Sequence, residues 1–239
     1  VIAGDPPLAG RLRRLRKPPD EADLTDALSR YVLARPAAWL AEDAAELGVG
    51  PGAVTAAATL LALLAAGLFW AGIFWFGLIA AFLFALLERL GRAMTLRSGE
   101  PDRVAPWLLE VVHLPLWWWG WAHGLAGSAT PVEPVLLACL FWVTVAAYGM
   151  DRLVELLFRG RHGVGIDAWR PLDSRFRLIA AGRNIDLLIL FVALAAGRPD
   201  LGFELVAFWS LVSLIVHGLR FAQANARADR GRKIIAWRA

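Results

Sequence analysis

From Ala53 to Leu87 the sequence contains no Asp, Glu, Lys, Arg or His. The hydrocarbon core of a bilayer is about 30 Å thick, and one helical span takes about 20 apolar residues. The run is therefore long enough for two short helices, with a reversal between Gly67 and Gly72. A surface helix of a soluble domain would need a polar face, and this stretch offers none. The remaining composition agrees: 58% of residues are hydrophobic and mean hydropathy is +0.53, against about 45–50% apolar in ordinary soluble domains.

Four further spans are predicted, over Val104 to Gly124, Pro134 to Phe158, Leu178 to Ala196 and Leu201 to Phe221. The expected fold class is an all-α integral membrane protein with six transmembrane helices occupying residues 49–226. Ahead of them, residues 21–48 carry apolar side chains at helical spacing: Leu24, Leu28, Tyr31 and Val32, then Trp39, Leu40, Ala44 and Leu47 after Pro36. Proline suits a first helical turn and disrupts an interior, so two short amphipathic helices meeting at Pro36 are expected. They lie either in the headgroup plane or against the end of the bundle. Residues 1–20 include the basic run RLRRLRK, followed by PPDEAD where a secretory signal would have an apolar stretch. This segment reads as a cytosolic linker, and residues 227–239 as a basic cytosolic tail.

The net charge is +4. The basic residues flank the spans, so anionic lipid headgroups are the expected partner and nucleic acid is not. Arg89, Arg92, Arg97 and Arg103 follow the second span; Arg159, Arg161, Arg170, Arg175 and Arg177 follow the fourth; Arg227, Arg230, Arg232, Lys233 and Arg238 follow the sixth. The opposite loops hold only Arg198. The positive-inside rule then places both termini in the cytoplasm. Cys139 has no partner in the chain and reads as a small buried hydrophobe. Trp117, Trp118, Trp119 and Trp121 read as an interfacial belt, or alternatively as a lipid-contacting groove.

Ionisable residues within spans are costly and face a bundle interior or a wet cavity. Glu88 closes the second span and Glu110 opens the third. Asp151, Arg152 and Glu155 close the fourth, Arg183 and Asp186 lie early in the fifth, and His217 and Arg220 close the sixth. Contributions from five helices at one depth predict a polar chamber open to the cytosol. Taken singly, each has a structural reading. Arg183 and Asp186 are spaced to neutralise each other, Asp151 and Glu155 suit a solvated helix end, and His113 and His217 suit bonds to neighbouring helices. Neither a Gly-rich phosphate loop nor a metal-type Cys/His cluster is present in the sequence. The paired broken helices of a transporter are also missing.

Three stretches carry a family resemblance. Phe82 to Trp121 joins two spans with Glu88 and Glu110 at its edges, Gly50-Pro51-Gly52-Ala53-Val54-Thr55 opens the first span, and Asp173 to Ala224 includes DSRFRLIAAGRN, GRPDLGFELVAFW and HGLRFAQA. Together they resemble the CDP-alcohol phosphatidyltransferases, in particular bacterial members. The resemblance implies a six-helix fold with an interfacial N-terminal helix, a multi-pass inner-membrane location and a dimer. The implied reaction is transfer of a phosphoalcohol from a CDP-alcohol to a hydroxyl acceptor, with release of CMP, in phospholipid biosynthesis. The family's signature is Asp-x-x-Asp-Gly-x-x-Ala-Arg, eight residues, then Gly-x-x-x-Asp-x-x-x-Asp. Its aspartates hold Mg²⁺ or Mn²⁺ against the CDP diphosphate, and the last activates the acceptor.

In the register that keeps two acids, the second and last aspartates become Glu88 and Glu110. The first becomes Ala85 and the third Pro106; the glycines become Arg89 and Asp102; the Ala-Arg pair becomes Arg92 and Ala93. Ala85 and Pro106 offer no oxygen, and Mg²⁺ accepts oxygens only at about 2.0–2.1 Å in near-octahedral geometry. Two expectations follow. One is a catalytically impaired member with a binding or assembly role, as a homodimer or paired with an active relative, and needing no metal. The other is an active phosphotransferase rebuilt on Glu88 and Glu110, with Arg89 and Arg92 meeting phosphate oxygens in place of metal charge.

Overall fold

The computed structural model describes residues 26–98, 106–128 and 132–237. All regular structure among them is helical. A π-helical segment, Leu28–Leu33, leads into α1 (Ala34–Glu46). Then follow α2 (Pro51–Trp70), α3 (Phe74–Ser98), α4 (Pro106–Ala126), α5 (Pro134–His162), the short α6 (Pro171–Phe176), α7 (Arg183–Ala195) and α8 (Pro199–Ala228). Proline occupies the first turn of α2, α5, α6 and α8, where its missing N–H leaves no helical bond unmade.

Four of these helices are long and apolar enough to cross a membrane: α2, α3, α5 and α8. The reversal between α2 and α3 falls at Ala71–Ile73, around Gly72, the second of the glycines read from sequence. The fifth apolar stretch begins later than expected. Its helix starts at Arg183 rather than Leu178 and has 13 residues, about 20 Å at 1.5 Å per residue.

The packing of α2 explains the position of α4. Val54, Ala58, Ala62, Ala65 and Phe69 form a buried stripe of mostly small side chains along α2. Gly120 of α4 crosses it so closely that a Cβ there would lie 2.8 Å from the Ala66 carbonyl oxygen. Small residues at such crossings let backbones meet where lipid provides no hydrophobic drive for association. The tryptophans sit inside this crossing, which corrects the expected belt. Trp117, Trp118 and Trp121 are buried, and only Trp119 of the four is exposed. Positions 117, 118 and 121 lie on one broad helical face, which turns Trp117 and Trp121 to Phe69 of α2 and Trp118 to Tyr148 of α5. Their indoles are bonded to backbone: Trp117 Nε1 donates to the Ala62 carbonyl at 2.8 Å and Trp121 Nε1 to Pro199 at 3.2 Å.

Two further expectations change. The N-terminal segment runs without a break from the π-helical turns into α1, and Pro36 lies in the first turn of α1 rather than between two helices. Its small face, Ala37 and Ala41, packs on Val54, Leu90 and Met94, while Tyr31, Val32, Trp39 and Leu47 are exposed. Cys139 is exposed rather than buried. It shares a face of α5 with Val135 and Trp142, both exposed, the side of a membrane helix that meets lipid.

Candidate functional site

Polar side chains converge on a cavity of about 100 Å³ among the π-helical segment, α3, α4, α5, α7 and residues 177–182. Five arginines line it, Arg89, Arg92, Arg152, Arg177 and Arg183, against two carboxylates, Asp26 and Glu88. About 10–15 Å³ of such space admits one water, and drug-sized ligand pockets run to about 300–1,000 Å³. The space suits a phosphate group, with the remainder of a larger ligand lying outside it.

Glu88 holds one wall. Its Oε2 accepts from Arg183 Nη2 at 2.6 Å, and its Oε1 meets Arg92 Nη2 at 2.5 Å, one helical turn along α3. The two oxygens are thereby each engaged by a guanidinium. Arg183 also donates through Nε to Asn184 Oδ1 at 3.1 Å and lies 5.1 Å from the Phe84 ring centroid. Asn184 Nδ2 donates to Asp26 Oδ2 and to Ser29 Oγ, both at 2.8 Å, while Asp26 Oδ1 accepts from the Ser29 N–H. Asp26 thus caps the π-helical segment and ties it to the start of α7. Asp26, Ser29 and Asn184 carry no sequence signal of a shared site: Asn184 lies 158 residues from Asp26, and only the tertiary fold joins them.

A second network lies on the α5–α8 side. His217 Nδ1 and Asp151 Oδ1 are 2.6 Å apart and both side chains are buried. Arg152 reaches Asp151 Oδ2 at 3.0 Å and Glu155 Oε2 at 2.9 Å, and Arg177 donates to Glu155 Oε1 at 3.2 Å. Asp151 is therefore no part of a solvated helix end; α8 packs along α5 and encloses it. His217 does bond to a neighbouring helix, as read. Next to this network Arg220 Nε pairs with Asp173 Oδ1 at 2.6 Å. Burial pushes the Asp173 carboxyl above its ordinary value, against the pull of Arg220.

Arg183 and Asp186 do not neutralise each other. Arg183 turns to Glu88, and both carboxylate oxygens of Asp186, a side chain within the protein interior, lack a hydrogen-bond partner.

The residues read from the signature are partly brought together. Glu88, Arg89 and Arg92 line the cavity, with His113 beside them between the rings of Phe84 and Trp117. Ala85 is buried against Leu28 and Leu33, and Ala93 packs beside Ala37 and Ala41, so both serve the seat of the N-terminal helix. Asp102 lies outside the described residues. Pro106 opens α4 and Glu110 lies in its second turn, but their side chains lie outside the described residues.

Among the described residues, neither of two donor sets fits a divalent ion as it stands. At Glu88 both oxygens already meet guanidinium groups. Asp151, Glu155 and His217 bring ligand atoms within 4.8 Å of one another, yet Arg152 bridges the two carboxylates where a cation would sit. A dication would have to displace a fixed positive group from each set, at the short oxygen distances Mg²⁺ demands.

The fold and this cavity define a helical membrane protein with an arginine-lined polar chamber. No protein-family model matches the chain, and no curated protein is significantly similar to it.

Proposed function

We propose that the chain is a catalytically impaired relative of the CDP-alcohol phosphatidyltransferases, a membrane protein that binds a phosphate-bearing ligand without transferring it. In this reading α4 and α7 join α2, α3, α5 and α8 as a six-span bundle of a bacterial inner membrane, with both termini cytoplasmic. The partner is a second copy or an active relative. The observation that carries the proposal is Glu88 held between Arg92 and Arg183. A CDP-alcohol leaves CMP readily only when the developing charge on the diphosphate is neutralised, the task metal ions perform in such reactions. Here guanidinium groups occupy that side of the chamber. They bind phosphate oxygens bidentately, and Glu88, with both oxygens engaged by Arg92 and Arg183, is not free to activate an acceptor hydroxyl.

The test uses the full chain in lipid nanodiscs with Mg²⁺ or Mn²⁺, a panel of CDP-alcohols and candidate acceptors. CMP release is expected to stay at the level of the Glu110→Ala variant, while CDP binding by calorimetry weakens in Arg183→Ala. Metal-dependent CMP release that disappears in Glu110→Ala would establish the rebuilt active enzyme instead. Absence of CDP binding to the unaltered chain would remove the phosphate-ligand reading.

A further inference from the structure

A second cavity lies outside this chamber, at the end of α8. Its volume is about 470 Å³, and it is walled by Arg170, Arg220, Gln223, Arg227, Arg230 and Arg232. That size is within the range of pockets that hold a whole small ligand. Its charge is balanced differently from that of the inner cavity. Arg220 is engaged by Asp173 at 2.6 Å and by Gln223 at 2.8 Å, and Arg170 stacks 4.2 Å above the Trp169 ring. Among the described residues no carboxylate pairs with Arg227, Arg230 or Arg232. The acid within that run, Asp229, is turned to Arg161 at 3.3 Å.

The arginines are held in place by a built scaffold. The chain reverses at Gly231, whose φ of 72° is the left-handed conformation that glycine adopts without strain. The returning segment buries Ile234 against Phe158, Ile166, Trp169 and Ala224. Trp237 then closes it: its backbone N–H donates to Ala168 at 3.1 Å and its Nε1 to Ser174 Oγ at 2.8 Å. The returning backbone thereby brings Arg230 and Arg232 to the cavity that Arg227 also lines. The same segment leaves Ile235 and Trp237 exposed, and Leu219 of α8 is exposed one residue before Arg220.

We infer that this cavity binds the phosphate headgroup of an anionic phospholipid. Guanidinium groups meet phosphate oxygens in planar, bidentate pairs, and several arginines without a carboxylate partner around one space supply the counter-charge for an anionic phosphodiester. The lipid source follows from position. The cavity lies at the end of a helix long and apolar enough to cross a membrane, and exposed apolar side chains flank it, as acyl chains below a headgroup require. This site is independent of the chamber at Glu88, so it stands whether or not that chamber binds a nucleotide.

The experiment titrates the full chain in neutral detergent with short-chain phosphatidylglycerol, phosphatidylcholine of equal chain length, and inorganic pyrophosphate. Phosphatidylglycerol is expected to bind in preference to phosphatidylcholine. In the triple variant Arg227→Gln/Arg230→Gln/Arg232→Gln its affinity should fall by about a hundredfold, the order set by three basic residues near an anionic headgroup. The triple variant Arg35→Gln/Arg175→Gln/Lys233→Gln removes equal charge from positions outside the cavity and should bind as the unaltered chain does. Equal losses in the two variants, or no preference between the two lipids, would overturn the proposal. Saturable pyrophosphate binding that phosphatidylglycerol does not displace would overturn the lipid source. If the first variant unfolds, Arg227→Lys/Arg230→Lys/Arg232→Lys decides the matter. Weakened phosphatidylglycerol binding with an unchanged melting temperature supports the cavity, and undiminished affinity refutes it.

Discussion

The two arginine-rich regions differ in what surrounds their charge. In the inner chamber Arg183 and Arg92 share Glu88, and Arg152 and Arg177 share Glu155, so four of its five arginines have an acidic partner within 3.2 Å. In the outer cavity four of five arginines have no carboxylate partner among the described residues, Arg220 with Asp173 being the exception. Burial explains the contrast. An ion taken from water carries a desolvation penalty that only good geometry with a counter-ion offsets, whereas a solvated arginine can stay unpaired. The same residue type therefore serves as cement in one place and as bait in the other.

Breaking a buried pair is the strongest test of that distinction. Glu88→Leu leaves Arg183, whose side chain is 14% exposed, without its counter-charge. A loss of about 3–5 kcal/mol is expected, as for other buried pairs with one partner removed. Arg227→Gln, on the exposed side, should change stability by no more than about 0.5 kcal/mol. Thermal unfolding of both variants in the same detergent reads the difference. Similar melting temperatures would mean that Glu88 stabilises nothing and that the chamber is wet and loose.

The second variant in size should move the other way. Asp186 is the buried acid that found no partner. Leaving a buried acceptor unsatisfied costs about 1–3 kcal/mol, so Asp186→Leu, close in shape and apolar, is expected to raise the melting temperature. A fall would show that the carboxylate has a role that its surroundings do not display.

These cases also show what could be read from the chain beforehand. The uncharged run after Ala53 specified a helical hairpin because hydropathy and span length are local properties. Partner choice is not local. Arg183 and Asp186 have ideal helical spacing, yet Arg183 pairs across 95 residues with Glu88, because α3 and α7 pack side by side. The tryptophans misled for a related reason. Composition marks Trp as interfacial, while burial of positions 117, 118 and 121 depends on the small residues of α2, which no window around α4 contains. Likewise the tail arginines read as topology signals and as general contacts for anionic headgroups, not as one cavity, since nothing before the fold shows Ile234 drawing the chain back under α8. The gathering of polar groups at one depth was legible, because any charge near a bilayer has few places to go.

Ionic strength separates the two regions further. Solvated charges interact over a Debye length of about 10 Å at 0.1 M salt and about 3 Å at 1 M. Phosphatidylglycerol binding at the outer cavity should therefore weaken by about tenfold across that range, as screened surface electrostatics do. The stability lost in Glu88→Leu should hardly change. A salt-insensitive lipid affinity would move the outer site into the dry class.

Asp173 lies between the two regions and gives the smallest and most diagnostic effect. It is buried, its carboxyl titrates above the ordinary value, and it holds Arg220, which walls the outer cavity. A raised native value means that the folded chain keeps this proton more tightly than the unfolded one. The resulting stabilisation is full below the ordinary aspartate range and is lost as pH rises through the native value. Asp173→Asn should flatten that segment of the stability profile, read by denaturation at a series of pH values. It should also release Arg220 toward the outer cavity and tighten phosphatidylglycerol binding, and acidification should do the same in the unaltered chain but not in the variant. If lipid affinity stays constant while the stability profile flattens, Arg220 belongs to the inner network alone, and the outer site consists of Arg227, Arg230, Arg232 and Arg170.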